Sequence, residues 1–296
     1  PVAVWSWNTA LAWVCGDACV WKPSEKTPLT SIACQNITAE VFKKNNVPEG
    51  VSSMVIGDAE IGKAMAADKR VPLVSATGSI RMGRSVAQEV AARLGKSLLE
   101  LGGNNAMIIT PDADLKVVVP GAVFGAVGTA GQRCTSTRRL IIHDSIYQKV
   151  VDTLTSAYKQ IKIGNPLDEN NHVGPVIDKD AVNNYLNAIE KGGKVLVEGG
   201  VLEGEGYEPG CYVKPTIIEV ENHYEIVQNE TFAPVLYVMK YSGGVENAIK
   251  FQNGVVQGLS SAIMTTNLRE AEQFLSAEGS DCGIANVNIG TSGAEI

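Results

Sequence analysis

Two side chains in this sequence have the setting of reactive groups. Cys134 lies in Gly131-Gln132-Arg133-Cys134-Thr135. A thiol reacts as its thiolate, and an adjacent cation with some access to solvent favours that form. Cys134 follows a glycine and two polar residues, one of them Arg133, so it reads as a partly exposed nucleophile. Glu100 stands near the end of an apolar run, in Leu98-Leu99-Glu100-Leu101-Gly102-Gly103. A carboxylate among leucines is costly to bury when ionised, which suits a general base. The plainer reading is a strand end facing water. The glycine pair weakens it, because it lets other groups approach the backbone.

Three further stretches could hold a ribose or a phosphate, because open α/β sheets bind ligands beyond the carboxyl ends of their strands. In Lys22-Pro23-Ser24-Glu25-Lys26 a carboxylate can accept from ribose hydroxyls while a lysine works from the other side; an exposed charged turn is the alternative. Gly57-Asp58-Ala59-Glu60-Ile61-Gly62 is spaced only loosely like a dinucleotide loop. Thr77-Gly78-Ser79 leads into a helical pattern, where backbone N–H groups and the Ser79 hydroxyl suit a phosphate. Ser79 could equally serve as a helix N-cap.

The remaining cysteines carry no comparable signal. Cys15, Cys19 and Cys34 read as buried small apolar residues, and Cys282, beside Asp281 and Gly283, reads as structural. No CxxC pair occurs, and with histidines only at 143, 172 and 223 no metal-ligand spacing arises. Six cysteines are too few for a disulfide framework at this length, which points to a reducing compartment. Neither a membrane-length apolar run nor a signal peptide is visible. A cytoplasmic protein is expected, or a mitochondrial one if the source is eukaryotic.

These residues need a scaffold. Hydrophobic residues make up 45% and charged residues 19%, enough for a packed core. The net charge of −7, with no basic cluster, excludes a nucleic-acid groove. Helix patterns at 28–45, 58–67 and 82–94 alternate with apolar strand signals at 18–21, 51–56, 73–76 and 97–101. In the last of these helices Met82, Val86, Val90 and Leu94 form an i+4 row. After Gly103 the alternation restarts, with strands at 106–109, 139–143, 194–197, 234–239, 260–265 and 284–288. Helices are expected at 113–129, 145–161, 178–191, 245–252 and 267–278. Continuous apolar strands separated by helices imply parallel sheets covered on both faces. The expected fold is α/β: a Rossmann-type parallel-sheet domain over 1–102, then a second α/β catalytic domain over 103–296. Pro1 lies within a helix approach and Ile296 follows no terminating element, so both ends are expected to be cut.

Taken together, the motifs resemble the aldehyde dehydrogenase superfamily. Trp21-Lys22-Pro23-Ser24-Glu25, Thr77-Gly78-Ser79, Leu99-Glu100-Leu101-Gly102-Gly103, Gly131-Gln132-Arg133-Cys134, Gly164-Asn165-Pro166 and Asn229-Glu230-Thr231-Phe232-Ala233-Pro234 run in family order over nearly the whole chain. A narrower likeness to the antiquitin type rests on Gly102-Gly103-Asn104-Asn105, Thr129–Cys134, Asn286-Val287-Asn288 and Thr291-Ser292-Gly293-Ala294-Glu295-Ile296. The resemblance implies an NAD-dependent oxidation of an aldehyde, of the type of α-aminoadipic semialdehyde. Cys134 would form a thioester and Glu100 would activate the water that hydrolyses it. Lys22 and Glu25 would hold the adenosine ribose, Ser79 the pyrophosphate and Glu230 the nicotinamide ribose, with Phe232 near the nicotinamide. By sequence position alone Glu230 would be a surface acid before a strand. Arg133 would bind the substrate carboxylate; its alternative is a salt bridge to a neighbouring acid. The implied partners are a small aldehyde and further copies of the chain, as a dimer or tetramer, with no nucleic acid or membrane. Three departures stand out. The family's oxyanion-hole asparagine falls upstream of Pro1, its assembly strand falls beyond Ile296, and Ala76 replaces a frequent phenylalanine. A CoA-acylating relative, which usually lacks the acid at the position of Glu100, and a non-catalytic module on the same fold are the competing readings.

Overall fold

A computed structural model describes residues 2–293. The likeness resting on Ala294-Glu295-Ile296 and the expected cuts at Pro1 and Ile296 lie outside the described residues. The chain divides into two compact units, Pro1–Leu101 and Gly102–Ile296.

The first unit runs α1 (Ala3–Val14), β1 (Cys19–Trp21), α2 (Pro28–Lys44), β2 (Ser52–Met54), α3 (Ala59–Ala67), β3 (Leu73–Thr77), α4 (Ile80–Ala92) and β4 (Lys96–Glu100). Local chemistry sets the helix ends. Pro28 occupies the first turn of α2, where its missing N–H costs nothing, and Lys43 and Lys44 complement the last turn. Asp58 and Ser79 cap α3 and α4, accepting from the N–H groups of Glu60 and Met82. The strands pair in parallel, as β1 with β2 and β3 with β4, in two separate two-stranded ladders.

Full cover of both faces is the expectation for such strands, and here it is not found. Leu73 and Leu98 are 54% and 47% exposed. The i+4 row also breaks: Val90 is buried, but Leu94 lies past the end of α4 at φ +58 and is exposed. Cys15 is exposed, and Cys19 and Cys34 are only half-buried, against the buried reading. Cys15 sits at the C-cap of α1, beyond the face that packs.

The second unit holds β5 (Asn105–Ile109), α5 (Leu115–Val127), β6 (Thr137–His143), α6 (Tyr147–Tyr158), α7 (Lys179–Lys191), β7 (Lys194–Val197), β8 (Thr216–Glu219), α8 (Glu225–Gln228), β9 (Val235–Tyr241), α9 (Val245–Asn253), β10 (Ser260–Met264), α10 (Leu268–Leu275) and β11 (Ile284–Val287). They build one seven-stranded sheet in the order β11-β10-β5-β6-β9-β8-β7, parallel except for the β7–β8 edge. Its central strands are covered on both faces. Every residue of β5 and β10 is buried, and Ile108, Leu140, Ile141, Ile142 and Ile263 are inaccessible to solvent. Strand β8 has no counterpart in the sequence pattern; of its four residues only Ile217 and Ile218 are apolar, too short a run to signal a strand. Among the described residues no helix is long and apolar enough to cross a membrane.

Candidate functional site

In the first unit the predicted residues collect at the carboxyl ends of the strands. Lys22 and Glu25 follow β1 and form a 3.2 Å ion pair, with the lysine side chain 17% and the glutamate 53% exposed. The Lys22 stem lies across Gly62, where a larger residue would narrow its path. The Glu25 carboxyl is held below the usual carboxylate range by its own backbone N–H first and by Lys22 second. Ser79 follows β3 and is exposed, its Oγ accepting from the Met82 N–H at 3.2 Å. Thr77 pairs with Glu100 across the ladder, and the Gly78 N–H donates to the Glu100 carbonyl at 3.1 Å. The phosphate-type loop and the predicted base thus share one edge. Glu100 is half-buried rather than enclosed by leucines, since Leu98 faces out.

In the second unit the residues precede the strands. Helix α5 ends at Gly128, and a tight turn leads to Cys134. Thr129, Ala130 and Gly131 all take positive φ, at 52°, 54° and 67°. At Gly131 a side chain is excluded, because its Cβ would strike the Ala233 carbonyl. Beyond the turn, side chains grip the backbone on both sides of the half-buried Cys134. The buried Asn105 donates to the carbonyls of Cys134 and Ser136 at 2.7 and 2.8 Å. Thr291 and Ser292 both donate to the Thr135 carbonyl, at 2.7 and 2.8 Å. Arg138 donates to the Gly131 carbonyl at 2.6 Å and to the Arg133 carbonyl at 3.1 Å. The side chain of Gln132 bridges the loop to Pro175 and Ile177.

Arg133 is half-buried, its guanidinium 5.4 Å from the Phe124 ring and its Nε donating to Thr129 Oγ1 at 3.1 Å. Among the described residues no carboxylate lies within ion-pair distance of it, so the alternative of a salt bridge to a neighbouring acid finds no partner there.

Glu230 corrects the surface reading. Its side chain is 15% exposed and accepts from the Gly103 N–H at 3.2 Å, and a Cβ at Gly102 would fall on its carboxylate. Burial pushes its carboxyl up, against the pull of Arg138 and the Gly103 N–H. Arg138 Nη2 stands 3.6 Å from Glu230 Oε1, and its Cζ lies 5.4 Å from the Phe232 ring. The second unit therefore gathers Cys134, Arg133, Glu230 and Phe232 around Arg138, a residue that no motif in the sequence singles out. Asn105, Thr291 and Ser292 likewise carry no role that the sequence alone discloses. The one signal for Arg138 is an Arg-Arg pair entering an apolar strand, an expensive place for charge.

The sequence profile described as the Aldehyde dehydrogenase family matches residues 1–296. The chain is 50% identical to the α-aminoadipic semialdehyde dehydrogenase of Bos taurus over 301 residues, covering all of this chain and 55% of that protein. Among solved structures it resembles the γ-glutamyl-γ-aminobutyraldehyde dehydrogenase of Burkholderia cenocepacia, with TM-score 0.92 and 32% identity, covering 100% of this chain and 59% of that one. It also resembles a double mutant of Staphylococcus aureus betaine aldehyde dehydrogenase in complex with NAD+, with TM-score 0.84 and 31% identity, covering 92% and 55%. The chain spans a little over half the length of these relatives.

Proposed function

Because the chain belongs to the aldehyde dehydrogenase family, we propose that the protein oxidises a carboxylated semialdehyde, of the α-aminoadipic kind, to the acid, with NAD as acceptor. The observation that carries the substrate class is Arg133. It stands next to the nucleophile with no acid partner among the described residues. A half-buried guanidinium in that state favours an incoming carboxylate, which it grips with two parallel N–H groups. The 50% identity to an α-aminoadipic semialdehyde dehydrogenase supports the same class.

The residues also fit a dinucleotide. Gly102 leaves room only for the Glu230 carboxylate, an acceptor suited to ribose hydroxyls. Ser79, exposed at the N-terminus of α4, suits a pyrophosphate. The ionised Glu25 accepts from a 2′-hydroxyl and repels a 2′-phosphate, which favours NAD over NADP. Phe232, 42% exposed, offers a ring face to the nicotinamide.

The chemistry starts at Cys134. Its thiolate adds to the aldehyde carbon, forming a C–S bond while the carbonyl pair moves to oxygen. What bound NAD contributes is hydride acceptance, by which the Cys134 adduct becomes a thioester. Glu100 then takes a proton from water as the water attacks the acyl carbon, the C–S bond breaks, and the acid leaves. A free thiol nucleophile suits the reducing interior of the cytoplasm or mitochondrion. Self-association into a dimer or tetramer belongs to the same reading.

The test is formation of reduced nicotinamide and of acid, without CoA, across an aldehyde panel. Cys134→Ala should abolish both. Arg133→Ala should lower kcat/KM for α-aminoadipic semialdehyde at least about tenfold and leave hexanal nearly unchanged, with Arg133→Lys recovering part of the loss. Equal losses on both aldehydes would overturn the substrate reading.

A further inference from the structure

Arg138 and Arg139 stand side by side near the start of β6, and both are buried, at 1% and 0% exposure. Successive strand residues point to opposite faces, so the pair divides between the two sides of the sheet. Arg139 is spent on structure. Its guanidinium donates to the carbonyls of Asn104, Phe251 and Gln252 and to Asn222 Oδ1, and among the described residues no carboxylate is within its hydrogen-bond reach.

Arg138 is held differently. Besides the carbonyls of Gly131 and Arg133 it donates to Ala233 at 3.1 Å, so one guanidinium touches both the Cys134 loop and the segment that follows Glu230. Among the described residues its Nε is buried without a hydrogen-bond partner, and its one carboxylate neighbour within ion-pair distance is Glu230, at a loose 3.6 Å. Burial costs a charge several kcal/mol in rough terms. The position of the loop supplies a reason for the charge. Cys134 lies on a loop that leaves the C-terminus of α5, so the α5 dipole gives an anion there no support. A thiolate there gains from a fixed cation, and Arg138, which donates to the carbonyl of the residue just before Cys134, supplies one. The guanidinium is pushed down by burial to about 10, which leaves it charged at neutral pH.

We propose that Arg138 is a positioning residue that couples the two halves of the site: it fixes the Glu230 carboxylate and keeps Cys134 in its thiolate form. This rests on the roles given above to Cys134 and Glu230. The test uses Arg138→Met and Arg138→Lys in the intact chain, with three readouts: alkylation of Cys134 by iodoacetamide at neutral pH without cofactor, binding of NAD, and binding of AMP, which lacks the nicotinamide ribose.

Arg138→Met should slow alkylation about tenfold, because a lost cation lowers the thiolate fraction. It should weaken NAD about tenfold and AMP less than about twofold, since the Glu230 side of the cofactor is the part affected. Arg138→Lys should restore alkylation more fully than NAD binding, because lysine keeps the charge and loses the fork. Should the methionine variant fail to fold, that split in the lysine variant decides alone. Faster alkylation with NAD and AMP weakened equally would mean simple loosening and would overturn the proposal, as would unchanged values. Glu230→Gln separates the two readings. If it leaves NAD binding intact, the cofactor role of Glu230 fails, while the alkylation result still judges Arg138.

Discussion

In the first unit the polar groups suited to a ligand come after the strands: Lys22 and Glu25 after β1, Ser79 after β3, Glu100 at the end of β4. In the second they come before them: Gly103 before β5, Cys134 before β6, Glu230 before β9. The difference is electrostatic. Loops that leave a strand for a helix meet the positive end of the helix dipole and suit phosphate, as Ser79 does on α4. A loop that leaves a helix for a strand lacks that support, so an anion such as a thiolate gains from side-chain cations. Arg133 and Arg138 stand at that loop. The units also differ in cover. Strands β5 and β10 are wholly buried, while every residue of β3 and β4 is exposed or half-buried. Precision in the second unit rests on a closed core, and the first unit presents its groups on an open framework.

The contrast in cover can be broken by truncation. Ile141, inaccessible in β6, should cost about 2–5 kcal/mol of stability when changed to alanine, whereas Leu98→Ala, at a site 47% exposed, should cost less than about 1 kcal/mol. Urea unfolding followed separately in each unit measures both, and equal costs would end the distinction. A smaller effect is expected at Asn105, whose side chain donates to two carbonyls and accepts from the Ser260 N–H. Asn105→Ala leaves those groups unsatisfied and should cost roughly 1–3 kcal/mol, with the Cys134 loop exchanging amide hydrogens faster. Loss of stability with no local change in exchange would place Asn105 in the general core.

The smallest effect belongs to the open edge, at Glu25. Its carboxyl is depressed by the backbone N–H and Lys22. Its contribution is therefore present above the unfolded carboxyl value of roughly 4.3 and is lost only as pH falls through the lower folded value. Preference for NAD over NADP should stay flat from about pH 8 to about pH 5, and Glu25→Gln should narrow it at every pH in that range. A preference that titrates near neutrality would assign it to another group.

What the sequence discloses follows the same division. Helices with caps and rows, such as α4 behind Ser79, are written locally and can be read without the fold. Apolar strands such as β5 and β10 are legible for the same reason, but their adjacency in the sheet is not, because β10 enters 155 residues after its neighbour's Asn105. The carboxyl-end rule picks out Lys22, Glu25 and Ser79 from residue order alone. It has nothing to say about loops at the amino ends, so Arg138, Asn105, Thr291 and Ser292 stay hidden. The polarity of Arg138, Asn105 and Thr291 suggests the surface, and only a sheet covered on both faces makes them interior. Cys15 misleads in the opposite direction, because a small thiol at a helix end lies outside the packed face.

The left-handed turn ahead of Cys134 bears on how this protein can change. Thr129 and Ala130 hold positive φ without being glycine, and such residues store roughly 1–3 kcal/mol each. Replacing either with glycine would relieve that strain and make the folded chain more stable. It would also free the segment that aims Arg133 and Cys134. At these two positions, then, stability and a fixed path for the segment carrying Arg133 and Cys134 pull against each other.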